Sequence, residues 1–224
     1  MLNISRRIFF ASMSLNIDKQ KLEMYTCDTD RFILSIWRYA MEEKIIIATL
    51  EEMKIHSLRF NMDDLTKRLH MSKTSLYNII NTKDKLIQEV INYLMSTFET
   101  KEKRILSENI SSMREKVSQF VDEYANMFNA LDLGVYEDLH MSYPEEWQRL
   151  ENFRRQKVDT LLDLLNDGMA QGEFRLVDTA VLQCCLLMMS KILADTKFLN
   201  DNDLTYSQAT DSLQNLIFYG LIKR

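Results

Sequence analysis

At positions 65–77 stands the run Leu65-Thr66-Lys67-Arg68-Leu69-His70-Met71-Ser72-Lys73-Thr74-Ser75-Leu76-Tyr77. It reads as the end of one short helix, a three-residue turn and the start of another. Upstream, Asn61 precedes a two-turn helix from Met62 to Leu69, with Asp63 and Asp64 in the first turn, where acids complement the helix dipole. Ser72 is placed to cap a second helix through Ile80, its hydroxyl accepting from an otherwise orphaned backbone N–H. Thr82 caps a third, which opens Lys83-Asp84-Lys85-Leu86 and continues through Ile87, Val90, Ile91, Leu94, Met95 and Phe98 at spacings of three and four. Two short helices around a tight turn form a helix-turn-helix, a motif whose second helix enters the major groove of DNA.

The side chains suit that task. Lys73, Thr74, Ser75, Tyr77 and Asn78 would face the groove, a cation and four hydrogen-bonding groups around an inward Leu76. Lys83 starts the next helix, where a cation opposes the dipole unless it meets a phosphate. With two backbone amides it would make a phosphate clamp. Between Leu65 and Leu86 the cations are Lys67, Arg68, Lys73, Lys83 and Lys85 against one acid, Asp84, a local net of +4 in a chain whose total is −5.

Composition narrows the alternatives. The 224 residues include 4 Gly and 1 Pro, and none of either before Gly134. An all-β sandwich or barrel needs a turn about every 8–12 residues, so this supply excludes it. Dinucleotide fingerprints and phosphate-binding loops need clustered glycines and are excluded too. What remains is an all-α chain whose turns are made by Asn, Asp, Ser and His. Cys27, Cys184 and Cys185 form no disulfide framework and suggest a reducing compartment. The last two lie in an apolar run, where burial would leave them inert. Ser5-Arg6-Arg7-Ile8-Phe9-Phe10 superficially resembles a twin-arginine export signal, but its apolar stretch stops at Leu15 with no small-residue cleavage site, so the expected location is cytoplasmic.

Residues 1–40 are expected to be an extension, part helical from Arg31 with Phe32, Ile36, Tyr39 and Ala40 on one stripe. Three readings of it stay open: a helix packing on the next domain, an arm carrying Arg6 and Arg7 to DNA, or a translation start at Met41. Residues 41–98 are expected to form the helix-turn-helix domain and residues 99–224 a larger helical domain. The latter should hold helices over about 111–129, 135–141, 178–195 and 207–222, and a long helix with Pro144 in its first turn that Gly168 and Gly172 end.

Residues 45–95 resemble the DNA-binding domain of the TetR (tetracycline repressor) family of bacterial transcriptional regulators. The match runs from Asp64-Leu65-Thr66-Lys67-Arg68 through Ser72-Lys73-Thr74-Ser75-Leu76-Tyr77-Asn78 to Thr82-Lys83-Asp84-Lys85-Leu86. The resemblance implies that Asn61 and Tyr77 contact phosphates or base edges, Lys73 and Thr74 read bases, and Lys83 holds a phosphate. It also implies a C-terminal domain that binds a small effector and dimerises. His56 and His70 stand where the family usually has glycine, and histidine enters left-handed backbone more readily than most residues. Ile79 departs from the family's usual aromatic or His, which leaves a phosphate contact there without a donor.

Tyr124, Phe128, Trp147, Phe153 and Met188, with Tyr136 and Met189, are candidates to line an apolar effector pocket, although such residues at helical spacing also make plain core. The last two helices carry apolar residues on more than one face, which suits a four-helix homodimer interface and hence a palindromic operator. No cofactor or metal is expected, since His56, His70 and His140 include no i, i+4 pair. No catalytic set can be assembled. The expected function is a ligand-responsive repressor; the rival is a helical protein-interaction adaptor that has lost DNA affinity.

Overall fold

The computed structural model describes residues 29–221 apart from 109–111, 132 and 194–195. Arg6, Arg7 and Cys27 therefore lie outside the described residues. The chain forms ten described α-helices and one 3-10 turn. Helix α1 spans Thr29–His56, and the 3-10 turn Ser57–Arg59 follows it. Then come α2 (Met62–Leu69), α3 (Lys73–Ile79) and α4 (Lys83–Ser107). Helices α5 (Met113–Asn129), α6 (Leu133–Ser142) and α7 (Pro144–Ala170) follow. The series ends with α8 (Thr179–Leu193), α9 (Thr196–Asp201) and α10 (Tyr206–Leu221).

Two compact units result: residues through Thr49 with Met62–Leu86, and Leu50–Asn61 with residues from Ile87 onward. The expected divide at residue 98 falls inside α4, a single uninterrupted helix. In the first unit α2 packs on α3, and Ile45, Leu65, Leu76, Ile80 and Leu86 are buried. In the second, α5, α6 and α8 pack against α7, and α10 lies on α5.

Turn chemistry answers the shortage of glycine. Helix α2 ends with His70 N–H donating to Lys67 O (3.2 Å) and Met71 N–H to Thr66 O (3.1 Å), with His70 at φ +51°. That bonding pattern is a Schellman cap, whose left-handed residue is commonly glycine. Helix α7 ends the same way with Gly172 at φ +77°, and α9 with Asp203 at φ +52°. His70 thus takes glycine's conformation as expected. His56 does not: its φ is −122°, and the left-handed residue is Ser57, one position later. Asp138 of α6 secures this bend, accepting from Ser57 Oγ at 2.7 Å and from Leu58 N–H at 3.3 Å.

Pro144 opens α7 as expected. Gly168 does not stop that helix; it sits in the last turn, where a Cβ would come within 2.2 Å of the Phe174 ring. The absent side chain is what lets Phe174 bury itself against the helix. Glu173, in the same loop, reaches the start of α5 and accepts from the N–H groups of Met113 (3.1 Å) and Arg114 (3.2 Å). Ser112 completes that cap by accepting from Glu115 N–H at 3.1 Å.

Candidate nucleic-acid interface

Helix α3 begins on a side-chain cap. Ser72 Oγ accepts from Ser75 N–H at 3.1 Å, and the Ser72 and Ser75 hydroxyls lie 2.8 Å apart. Ser75 is therefore exposed but engaged in the cap, whereas Lys73, Thr74, Tyr77 and Asn78 line the exposed surface of α3 around buried Leu76. Asn61 is exposed immediately before α2. Lys83 is half-buried at the first position of α4, and Thr82 Oγ1 caps that helix by accepting from Lys85 N–H at 3.0 Å. Ile80 is buried and Ile79 half-buried, so both lie on the core side of α3.

Lys73 is not a free cation. Its Nζ lies 2.6 Å from Asp63 Oδ1, and the hydrogen bond and charge of Asp63 raise the Lys73 ammonium above the ordinary lysine value. Within its own helix Asp63 reads only as a first-turn acid that complements the dipole. The contact bridges residues ten apart, brought together only by the angle at which α2 and α3 meet, which helical periodicity does not encode.

In the second unit Phe98 is the hub of an aromatic cluster. Its ring centroid lies 5.5 Å from Phe120, 5.9 Å from Tyr124 and 5.8 Å from Phe153, all edge to face. Phe128 stands 4.7 Å from Tyr124, and Tyr136 OH donates to Phe128 O at 2.8 Å. The structure thus brings Tyr124, Phe128, Tyr136 and Phe153 together. Trp147 instead packs on the His140 ring at 5.1 Å, and Met188 lies on the exposed face of α8.

Sequence reading missed the charged pair inside this cluster. Lys157 Nζ lies 2.5 Å from Glu102 Oε2, with both side chains less than a tenth exposed. The same ammonium sits 4.7 Å from the Phe153 centroid and 5.5 Å from that of Phe98. Glu102 Oε1 is buried with no hydrogen-bond partner among the described residues. A signal was present: Lys157 falls on the apolar stripe of Leu150, Phe153, Val158, Leu161 and Leu165, where a charge is out of place unless paired.

Cys184 and Cys185 are exposed, contrary to the expected burial. They share α8 with exposed Val181 and Met188, while α10 exposes Leu216 and Tyr219. The apolar run marks a surface left open by this chain's own core. Nearby Val177, with Leu187 of α8 and Leu213 of α10, is half-buried; the side chains of Leu193, Ile217 and Leu221 lie outside the described residues. Among the described residues no cluster of His, Cys, Asp and Glu could hold a metal, and no helix is long and apolar enough to cross a membrane.

No family model matches the chain. It is similar to the uncharacterized HTH-type transcriptional regulator YvaF of Bacillus subtilis (strain 168), with 22% identity over 181 residues, 81% of this chain and 95% of the relative. A TetR-family transcriptional regulator from Agrobacterium tumefaciens superimposes with a TM-score of 0.64 at 13% identity, over 83% of this chain and all of that one. AibR, solved in complex with isovaleryl coenzyme A and operator DNA, aligns with a TM-score of 0.52 at 21% identity, over 78% of this chain and 96% of its own. The chain has the fold of the TetR-family transcriptional regulators, a helix-turn-helix unit joined to an all-helical second unit.

Proposed function

We propose that the chain is a DNA-binding transcriptional regulator that reads a palindromic operator as a homodimer and responds to a small effector, with repression as the expected sign. The observation that carries this reading is α3: a side-chain-capped helix, set off from α2 by a Schellman turn, whose exposed surface offers Lys73, Thr74, Tyr77 and Asn78. Ser75 stands beside them, and Asn61 and Lys83 would hold phosphates. Residues 41–98 would form the reading domain and residues 99–224 the effector and dimerisation domain. Exposed Val181 and Met188 on α8 and Leu216 and Tyr219 on α10 support pairing through those helices. The rings around Phe98 pack edge to face on one another, so support for a small effector comes from AibR, which was solved with isovaleryl coenzyme A and operator DNA. The same reading places the chain in the cytoplasm and gives it a binding role in place of a catalytic one.

The test is selection of bound duplexes from a randomised DNA pool, with sedimentation of the protein alone. An inverted-repeat motif with half-sites about one helical turn apart and a dimeric protein are expected. Recovery of no enriched sequence would overturn the reading in favour of a helical adaptor.

A further inference from the structure

Asp63 and Lys73 come from two helices, and both side chains are more than half exposed, yet Oδ1 and Nζ meet at 2.6 Å. Lysine at the first position of a helix opposes the positive end of the dipole, and Asp63 supplies the missing counter-charge. The pair is electrically neutral. A neutralised lysine releases fewer counterions on meeting a phosphate than a free one, so it adds little to sequence-independent binding. An ammonium has three donors. With one held by Asp63, the other two remain for a guanine edge, whose O6 and N7 accept side by side in the major groove. A phosphate met at random register brings its own negative charge up to Asp63 and is repelled.

Resting on the DNA-binding reading above, we propose that Asp63 is a positioning residue for sequence specificity, orienting Lys73 toward a base edge and suppressing its attachment to random phosphate. The measured quantity is the affinity ratio between an operator selected from a randomised pool by the unsubstituted protein and a shuffled duplex of equal length, across a range of NaCl concentrations. Asp63→Asn keeps the shape and removes the charge. It should tighten binding to the shuffled duplex, steepen the salt slope by about 0.9 per subunit, and lower the operator-to-shuffled ratio by about 10-fold. Asp63→Glu should preserve the ratio. In a Lys73→Ala background, Asp63→Asn should leave the ratio unchanged, because the effect runs through Lys73. An unchanged ratio in Asp63→Asn, equal shifts on both duplexes, or an effect that persists without Lys73 would overturn the assignment. A protein that never distinguishes the two duplexes would overturn the proposed function itself, and this assignment with it.

Discussion

Replacing Lys157 by Met tests whether the Glu102–Lys157 pair tethers α4 to α7. The ammonium donates to Glu102 Oε2 at 2.5 Å and packs 4.7 Å from the Phe153 ring centroid, with both charged side chains almost wholly buried. Methionine has similar length and can keep the aromatic packing, so the change removes charge and little volume. The Glu102 carboxylate is then left buried with neither oxygen paired to Lys157. Breaking a buried pair in this way costs about 3–5 kcal/mol, because the remaining charge has lost its solvation and its partner. With a urea m-value of about 2 kcal/mol per molar, the midpoint should fall by roughly 1.5–2.5 M. The double substitution Glu102→Leu with Lys157→Met removes both charges and should return stability to within about 1 kcal/mol of the parent, or exceed it. Urea unfolding of all four proteins at one fixed concentration closes the cycle, since association stabilises the folded state by mass action. A single-variant cost below about 1 kcal/mol, or a double variant as unstable as the summed singles, would refute the buried-pair account.

Further outcomes follow from the caps and turns. His70→Gly relieves a left-handed cost of about 1–2 kcal/mol and adds chain entropy of about 0.5–1 kcal/mol, so thermal unfolding should show a small net gain. Gly168→Ala drives a Cβ into the Phe174 ring and should cost about 1–3 kcal/mol by the same measurement. Ser72→Ala removes the α3 cap and should lower stability by about 1 kcal/mol, with operator affinity falling in gel shifts as the reading helix frays. Lys83→Ala should weaken binding to every duplex alike and reduce the salt slope by about 1 per subunit, whereas an unchanged slope would remove Lys83 from the phosphate contacts.

Local chemistry was legible in the sequence. Ser72 and Thr82 announced their helices because a cap is written within three residues, and both accept the expected N–H groups. His70 was legible through the family resemblance, which puts glycine at that turn position, and its φ of +51° is the left-handed conformation that glycine would take. At His56 the same reasoning slipped by one residue to Ser57, since the bend there is set by Asp138, about eighty residues away. Long-range pairing was the harder part. Asp63 with Lys73, and Glu102 with Lys157, depend on how helices cross, and no spacing within one helix reports that. The exposed cysteines show a related limit: an apolar stripe reads alike whether it faces this chain's core or a surface that awaits a partner.

Equilibrium binding of the purified protein to its selected operator and to a shuffled duplex, titrated with salt, decides whether α3 reads sequence. Sequence-specific reading through α3 predicts an affinity ratio of about 10³ or more, with a steep linear fall of log affinity against log salt on both duplexes. Equal affinities at every salt concentration, or no binding to either duplex, would contradict it.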